Sequence, residues 1–221
     1  MAKETKKAKA KETERASMKV ELEFTEMLLG TLPGDEKLAE EYVTSKHPEG
    51  VQEDEKASTP AKASLTEEIK KFSSYFARTT LTTVVATSGP ILWDYQIKGF
   101  FKDACSMMRR VVQVDELKAH KKIIDGLIFV FPREIPLMLS GELFFKERPL
   151  RITTPKGDRT ALARSEAAPA GTKIQIEVLL LKPDLKKYVI NWLDYGILRG
   201  LGQWRNSGMG RFRWHEIDRF V

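Results

Sequence analysis

The sequence has 221 residues and a mass of 25.2 kDa, and 42% of its residues are hydrophobic, which suits one domain with a buried core. The formal net charge of +6 is a mild basic excess, and no apolar run reaches the roughly 18 residues of a membrane helix. The single cysteine, Cys105, excludes an internal disulfide and a thiolate zinc site, and we expect no metal, no cofactor and no membrane partner.

The N-terminal segment is basic and has no apolar stripe. Residues 1–17 contain five lysines and one arginine against three glutamates. This composition predicts a disordered basic tail, followed by a single domain over residues 18–221. Charges stand where a signal peptide has its apolar core, so we do not expect export.

The first regular element is a strand, followed by a long insertion. Every second residue from Val20 to Phe24 is apolar, which is the period of a half-buried strand. The insertion, about residues 31–90, has no clear period apart from a short helix near Leu65–Phe76. Between residues 35 and 70 it has ten acidic residues against five lysines, so we expect an acidic excursion that avoids phosphate.

A helix and a strand follow the insertion. Apolar residues from Ile97 to Met108 recur at helical spacing and predict the first major helix, with Cys105 on its buried face. Trp93, just before this helix, is expected to pack in the core. The continuous apolar run within residues 126–132 has the length of a strand and predicts a central strand covered on both faces.

The second half of the chain repeats this order. Residues 132–172 contain five prolines and predict a looped insertion with a short strand at Leu150–Thr153. The alternation from Ile174 to Leu180 predicts another strand. A second amphipathic helix, with Trp192 in its apolar stripe, is predicted through about Arg199, and Asp184 is its expected N-cap.

A last alternating strand over residues 211–217 completes the order strand, helix, strand, strand, helix, strand. This order predicts an α+β fold of the ferredoxin-like or RRM-like type (βαββαβ), with both helices on one face of the sheet. The fold would carry two insertions, at about residues 31–90 and 132–172.

The most informative segment is the loop between the second helix and the last strand, Arg199-Gly-Leu-Gly-Gln-Trp-Arg-Asn-Ser-Gly-Met-Gly-Arg211. Glycine permits positive φ and removes the side chain that would keep a ligand from the backbone amides. Exposed amides flanked by arginines suit a phosphodiester backbone, and a tryptophan in a loop suits stacking on an unpaired base.

The position of this loop in the element order does not suit a mononucleotide or dinucleotide site. A P-loop or a dinucleotide-binding loop follows a strand and precedes a helix, whereas this loop follows a helix and precedes a strand. Nucleotide cradling of either kind is therefore disfavoured. A purely structural role for the glycines, a tight crossover from the helix to the last strand, stays open.

This pattern resembles a known family. Gly-x-Gly-x5-Gly-x-Gly after the last helix of a ferredoxin-like fold, followed by a basic residue and a strand, resembles the RAMP superfamily of CRISPR effector complexes. Within it the Cas7-type backbone subunits are the nearest. Lys98–Arg109 is similar to the first helix of that family. The resemblance covers residues 18–30 and 91–221, and the insertions stand where that family inserts thumb-like elements.

The resemblance implies a non-enzymatic protein that binds RNA, expected to be single-stranded, across the sheet and the glycine loop. Several copies side by side, or CRISPR-type effector subunits, are the implied protein partners. The chain also resembles proteins of tailed phages, which would place it in the cytoplasm of a bacterial host cell. The residues expected to bind nucleic acid are Lys98, Lys102, Arg199, Gly200, Gly202, Trp204, Arg205, Gly208, Gly210, Arg211 and Arg213.

Two alternatives belong to other classes. The acidic insertion favours a protein–protein module that docks into a CRISPR effector, or mimics one of its subunits, without binding nucleic acid. The second alternative is a His-dependent endoribonuclease, for which His215 is a weak candidate without a visible partner. His47 is expected at the surface and His120 in a solvated linker. Asp103 is expected as a helix-surface charge paired with a basic residue of its own helix.

Overall fold

The computed structural model describes residues 15–33, 73–78, 89–111, 117–154 and 157–220, with side chains described outside 150–161. Most of the predicted tail, His47 and most of the acidic insertion lie outside these ranges. The helix predicted near Leu65–Phe76 also lies mainly outside them. Its last residues are described, and there the prediction is wrong because Ser73–Tyr75 forms a strand.

The described residues form twelve strands and three α-helices, so the predicted α+β class is confirmed. The strands are β1 (Ala16–Phe24), β2 (Leu28–Leu29), β3 (Leu32–Pro33), β4 (Ser73–Tyr75), β5 (Ala77–Arg78), β6 (Pro90–Trp93), β7 (Ile128–Phe131), β8 (Glu134–Pro136), β9 (Phe144–Thr154), β10 (Gly157–Ala168), β11 (Lys173–Leu180) and β12 (Phe212–Glu216). The helices are α1 (Asp94–Met108), α2 (His120–Leu127) and α3 (Lys186–Arg199). Short 3-10 turns cover Pro183–Leu185 and Arg205–Ser207.

The central feature is a four-stranded antiparallel sheet with the order β12-β1-β11-β7. Val20 of β1 lies opposite Ile176 on one side and Glu216 on the other. α1 follows β1 along the chain, and α3 connects β11 to β12. The first and last predicted strands are therefore neighbours, which brings the chain after α3 back beside β1.

One face of this sheet forms the core. The alternation in β1 buries Met18, Val20, Leu22 and Phe24 in one cluster with the apolar stripes of α1 and α3. Cys105 is fully buried in that stripe, as predicted, and burial raises the pKa of its thiol. Trp192 and Trp93 are buried as well. The hydrophobic periodicity therefore identified the core correctly.

The predicted central strand is instead an edge strand. β7 pairs only with β11 among the described strands, and Leu127 belongs to α2 rather than to the strand. Ile128 and Val130 point to the core, whereas Phe131 on the other face is 47% exposed. The apolar run arises because a core-facing strand follows directly on a helix, and a continuous run does not distinguish that case.

The start of α3 also differs from the prediction. A 3-10 turn precedes the helix, the N-cap position is Leu185, and no side chain caps it. Asp184 belongs to the turn, where its carboxylate lies 3.8 Å from Lys182 Nζ. It is therefore not the N-cap. Pro183 favours the turn because its ring fixes φ near the helical value.

A long antiparallel hairpin of β9 and β10 occupies the second predicted insertion, and it contains the predicted strand at Leu150–Thr153. β10 also pairs with β2 and, in parallel, with β4. Glu166 of β10 forms a buried ion pair with Arg78 and accepts a hydrogen bond of 2.9 Å from the Phe76 amide. These contacts attach the segment around β4 and β5 to the base of the hairpin.

Candidate nucleic-acid interface

The glycine loop, residues 199–211, runs from the end of α3 to β12 and folds back on itself. All four of its glycines have positive φ, between +68° and +84°. A Cβ built on Gly210 would lie 1.9 Å from the Leu201 carbonyl oxygen, and one built on Gly200 would lie 2.4 Å from that of Met209. Both positions therefore require glycine for packing within the loop.

Several amides of the loop are used inside the protein. The Leu201 amide donates to the Gly210 carbonyl at 2.8 Å, and the Gly210 amide donates to Met27 at 2.9 Å. The Gly208 amide donates to the backbone carbonyl of Arg205 at 3.0 Å. The tight crossover that the sequence left open is thus present. The amides of Leu201, Gly208 and Gly210 are therefore not available to a ligand.

The first two arginines of the loop share one carboxylate. Arg199 Nε and Arg205 Nη1 donate to the same oxygen of Asp103, Oδ2, at 2.9 Å and 2.7 Å. The hydrogen bond to Asp103 raises the pKa of Arg199. Asp103 was expected to pair within its own helix, and this expectation is wrong because the crossover after α3 brings two cations to it.

Two positive charges against one carboxylate leave a local excess of one. The three side chains are 21% to 29% exposed, so each remains reachable from the solvent. Asn206 accepts a further hydrogen bond of 2.8 Å from Arg199 Nη1. The arrangement holds both guanidinium groups in fixed orientations beside the loop, as a bound anion would require.

The two arginines at the end of the loop and in β12 are more exposed to solvent than the first two. Arg211 and Arg213 are both exposed, and the Arg211 side chain lies against Gly208, whose built Cβ would be 3.4 Å from Arg211 Cζ. The backbone carbonyl of Arg211 accepts from the Thr25 amide at 2.8 Å, which fixes the loop end to β1. Within the described ranges no carboxylate forms an ion pair with either guanidinium group.

Trp204 lies in the same loop and is half-buried. It has φ of 56°, an unusual conformation for a bulky residue, at the start of the 3-10 turn Arg205–Ser207. The guanidinium carbon of Arg148, from β9, lies 3.6 Å from the centroid of its ring. The sequence did not indicate this contact, because Arg148 and Trp204 are 56 positions apart and belong to different elements.

The two lysines assigned to the interface by resemblance face the other edge of the sheet. Lys98 Nζ lies 4.8 Å from the Phe129 ring centroid, and Lys102 Nζ lies 2.5 Å from Asp125 Oδ1. Phe129 belongs to β7 and Asp125 to α2, whereas the loop leads into β12 at the opposite edge. The contact of these lysines with RNA therefore stays a prediction that the loop geometry does not support.

The sheet face opposite the helices carries a polar network centred on Glu21. Lys173 Nζ and the Gln175 amide nitrogen donate to the two oxygens of this buried carboxylate at 2.8 Å and 2.7 Å. These hydrogen bonds lower the pKa of Glu21, so the group stays ionised at neutral pH. His215 Nε2 lies 3.7 Å from Glu21 Oε1, which corrects the expectation that His215 has no partner.

The sequence predicts a solvated linker at His120, and this prediction is wrong. His120 begins α2, is half-buried, and its Nδ1 lies 2.9 Å from Arg109 Nη1. Burial and the neighbouring Arg109 charge lower the pKa of this imidazole, so it is neutral near pH 7. In the described ranges no three His, Cys, Asp or Glu side chains are grouped as metal ligands. No described helix is long and apolar enough to cross a bilayer.

No protein-family model matches the sequence, and no curated protein matches it. Two solved structures have a similar fold. One is a chain of type III-B Cmr-beta bound to cognate target RNA, with a TM-score of 0.51 and 10% identity over 92% of this chain. The present chain spans 60% of the length of that one.

The second is a chain of a type IV-B CRISPR complex, with a TM-score of 0.51 and 10% identity. This match covers 93% of the present chain and 92% of that one. The fold is therefore similar to that of chains from two CRISPR complexes, which agrees at the level of the fold with the predicted likeness to CRISPR-associated proteins.

Proposed function

We propose that this protein binds RNA, expected to be single-stranded, without cleaving it, and that it acts with subunits of a CRISPR-type effector in a bacterial cytoplasm. The observation that carries the proposal is the loop at residues 199–211, where Trp204 and the arginines lie together on a partly exposed surface. The likeness to a chain of an RNA-bound complex supports it.

The four-stranded sheet with α1 and α3 is proposed as the ferredoxin-like core of the fold. Its order, β12-β1-β11-β7, places β1 between the last strand and β11, as expected for two interlocked βαβ units. This order brings the glycine loop to the edge formed by β12. The loop is thereby supported by the Thr25 and Met27 contacts at the end of β1.

The chemistry of the proposed contact is electrostatic. Arginine side chains donate to phosphate oxygens, and the positions of these groups are fixed before binding by Asp103 and Asn206. Arg211 is the most open cation of the loop and is the expected first contact. Such binding releases counterions and weakens as the salt concentration rises.

A hydrolytic role for His215 is not proposed. Its partner Glu21 already accepts hydrogen bonds from Lys173 and Gln175, and this set lies on the sheet face away from the core. A metal-independent ribonuclease needs an acid and a base on either side of the same phosphate. Among the described residues of this sheet face, the only imidazole is that of His215, and its neighbour Glu21 stays ionised.

The proposal predicts that Arg205→Ala combined with Arg211→Ala weakens RNA binding. Two lost phosphate contacts are expected to raise the Kd about tenfold or more and to reduce the slope of log K against log salt by about 1.4. Fluorescence anisotropy with a labelled oligouridine, at several salt concentrations, measures both quantities. Circular dichroism checks that the variant is folded.

The matched control is Lys182→Ala combined with Lys187→Ala. It removes the same charge at the beginning of α3, about 20 Å along the helix from the loop, and both lysines are exposed. We expect less than a twofold change in the Kd for this control. A double arginine variant that binds RNA as tightly as the unmodified protein would refute the proposed interface.

A further inference from the structure

The contact between Arg148 and Trp204 joins two parts of the fold that are far apart in sequence. Arg148 lies on β9 of the long hairpin, and its guanidinium carbon is 3.6 Å from the centroid of the indole ring in the glycine loop. This distance is that of a cation in direct contact with an aromatic face. The hairpin and the loop therefore form one continuous surface at this point.

The charge of Arg148 is not balanced in the described part of the chain. No carboxylate there forms an ion pair with it, and its Nε is buried without a hydrogen-bond partner. The indole Nε1 of Trp204 is also a buried donor without a partner. Burial lowers the pKa of Arg148, because a charged group is less stable away from water.

Three other arginines of the loop and the hairpin have a carboxylate nearby. Arg199 and Arg205 share that of Asp103, and Arg164 on β10 lies 3.8 Å from Glu147. Arg164 also covers an aromatic ring, that of Phe145, at 4.0 Å. A partly buried cation without a counter-ion costs free energy that an anion from outside would recover.

We infer that Arg148 is an anion-binding residue of the same interface and contacts a phosphate of the bound RNA, while the Trp204 ring holds its guanidinium plane in place. This inference rests on the proposed function and extends the interface from the loop to the hairpin. A guanidinium group suits the role because its donors match two oxygens of one phosphate. Phosphate would then balance the charge that no carboxylate of the described residues balances.

The test replaces Arg148 by glutamine and measures binding of labelled oligouridine as a function of salt. We expect the Kd to rise about tenfold and the salt slope to fall by about 0.7, the value for one lost phosphate contact on a single strand. Arg164→Gln is the matched control. Arg164 is paired across the hairpin with Glu147 and Arg148 with Ala163, so the two arginines project from opposite faces.

Arg148→Lys separates charge from simple packing. Lysine keeps the positive charge, so the salt slope is expected to stay at its original value while the Kd rises less than in the glutamine variant. Equal losses of affinity in both variants with an unchanged slope would show that Arg148 only clamps the hairpin, and would overturn the inference. An unaltered Kd in Arg148→Gln would do the same.

Measuring oligouridine binding by the unmodified protein distinguishes a failure of this inference from a failure of the proposed function. Failure of the unmodified protein to bind the oligouridine refutes RNA binding as a whole. Binding that is lost in the Arg205 and Arg211 double variant, but kept in Arg148→Gln, leaves the proposed function intact and refutes the role of Arg148 alone.

Discussion

Asp103 is the residue that decides how much positive charge the glycine loop presents. It is the shared acceptor of Arg199 and Arg205, at 2.9 Å and 2.7 Å, and it lies on a different element, α1. A carboxylate in this position holds the guanidinium groups in place and at the same time neutralises one of them. Any phosphate at these two arginines has to share them with Asp103.

We predict that Asp103→Asn increases the affinity for RNA several-fold at low salt. Removing the carboxylate adds one net positive charge to the loop, and the amide oxygen still accepts a hydrogen bond from an arginine. The increase is expected to shrink as salt rises, since ions screen the added charge. Anisotropy titrations at two salt concentrations measure the effect.

Asp184→Asn serves as the control for this prediction. It makes the same change in net charge near the other end of α3, on a carboxylate that is 73% exposed. We expect the affinity to be unchanged there. A decrease in affinity for Asp103→Asn would mean that Asp103 acts by orienting the two arginines rather than by competing with RNA.

At the scale of elements, glycines allow the loop, α3 and β12 to pack closely together. A Cβ built on Gly196 of α3 would lie 2.1 Å from Cζ of Phe212, the buried first residue of β12. The Phe212 ring also packs edge-on against Phe100 at 5.3 Å. Gly196 and Gly210 thus allow α3, the loop and β12 to approach one another closely.

We predict that Gly210→Ala destabilises the fold by about 2 kcal/mol or more. The residue has φ of +68°, and its Cβ would overlap the Leu201 carbonyl oxygen, so both backbone strain and steric overlap oppose the change. Chemical denaturation measures the free energy of unfolding. The same variant should also bind RNA less well, because the loop carries the arginines.

Gly99→Ala provides the contrast. Gly99 lies within α1, and a Cβ there meets no atom within 4 Å, so we expect a gain of roughly 0.5–1 kcal/mol from helix propensity. Equal stabilities of the Gly210 and Gly99 variants would argue against the tight crossover in the loop.

At the scale of the whole molecule, the mild excess of positive charge is unevenly distributed. The polar sheet face pairs Glu21 and Glu23 with Lys173, and His215 lies beside Glu21, so much of its charge is balanced internally. The glycine loop carries three arginines beside the single carboxylate of Asp103, and Arg148 at the base of the β9–β10 hairpin has no ion pair among the described residues. We therefore expect RNA to follow the loop and the hairpin rather than the middle of the sheet.

This distribution predicts that protein purified without nuclease carries RNA. The ratio of absorbance at 260 nm to that at 280 nm should fall after ribonuclease treatment, and the size-exclusion peak should shift to a smaller apparent mass. The same protein in high salt should release the RNA, since counterion release drives binding. Protein that elutes free of nucleic acid at low salt would favour a docking module instead.

The sequence by itself determined the two long helices, the strands β1, β11 and β12, and the core. The alternation in β1 and β11 and the apolar stripes of α1 and α3 have local periods, and burial of those residues followed from them. The glycine pattern also located the loop, because glycine reports a local backbone requirement. The likeness to CRISPR-associated subunits came from that pattern in its place along the chain.

Only the tertiary structure decided which charges meet. Asp103 pairs with arginines about 100 positions later, Arg148 covers Trp204, and the lysines of α1 turn to the opposite edge of the sheet. The edge position of β7 could not be predicted either, because an apolar run does not indicate which strands pair with it. Periodicity reports which face of an element is buried, whereas ion pairs depend on how the chain crosses in space.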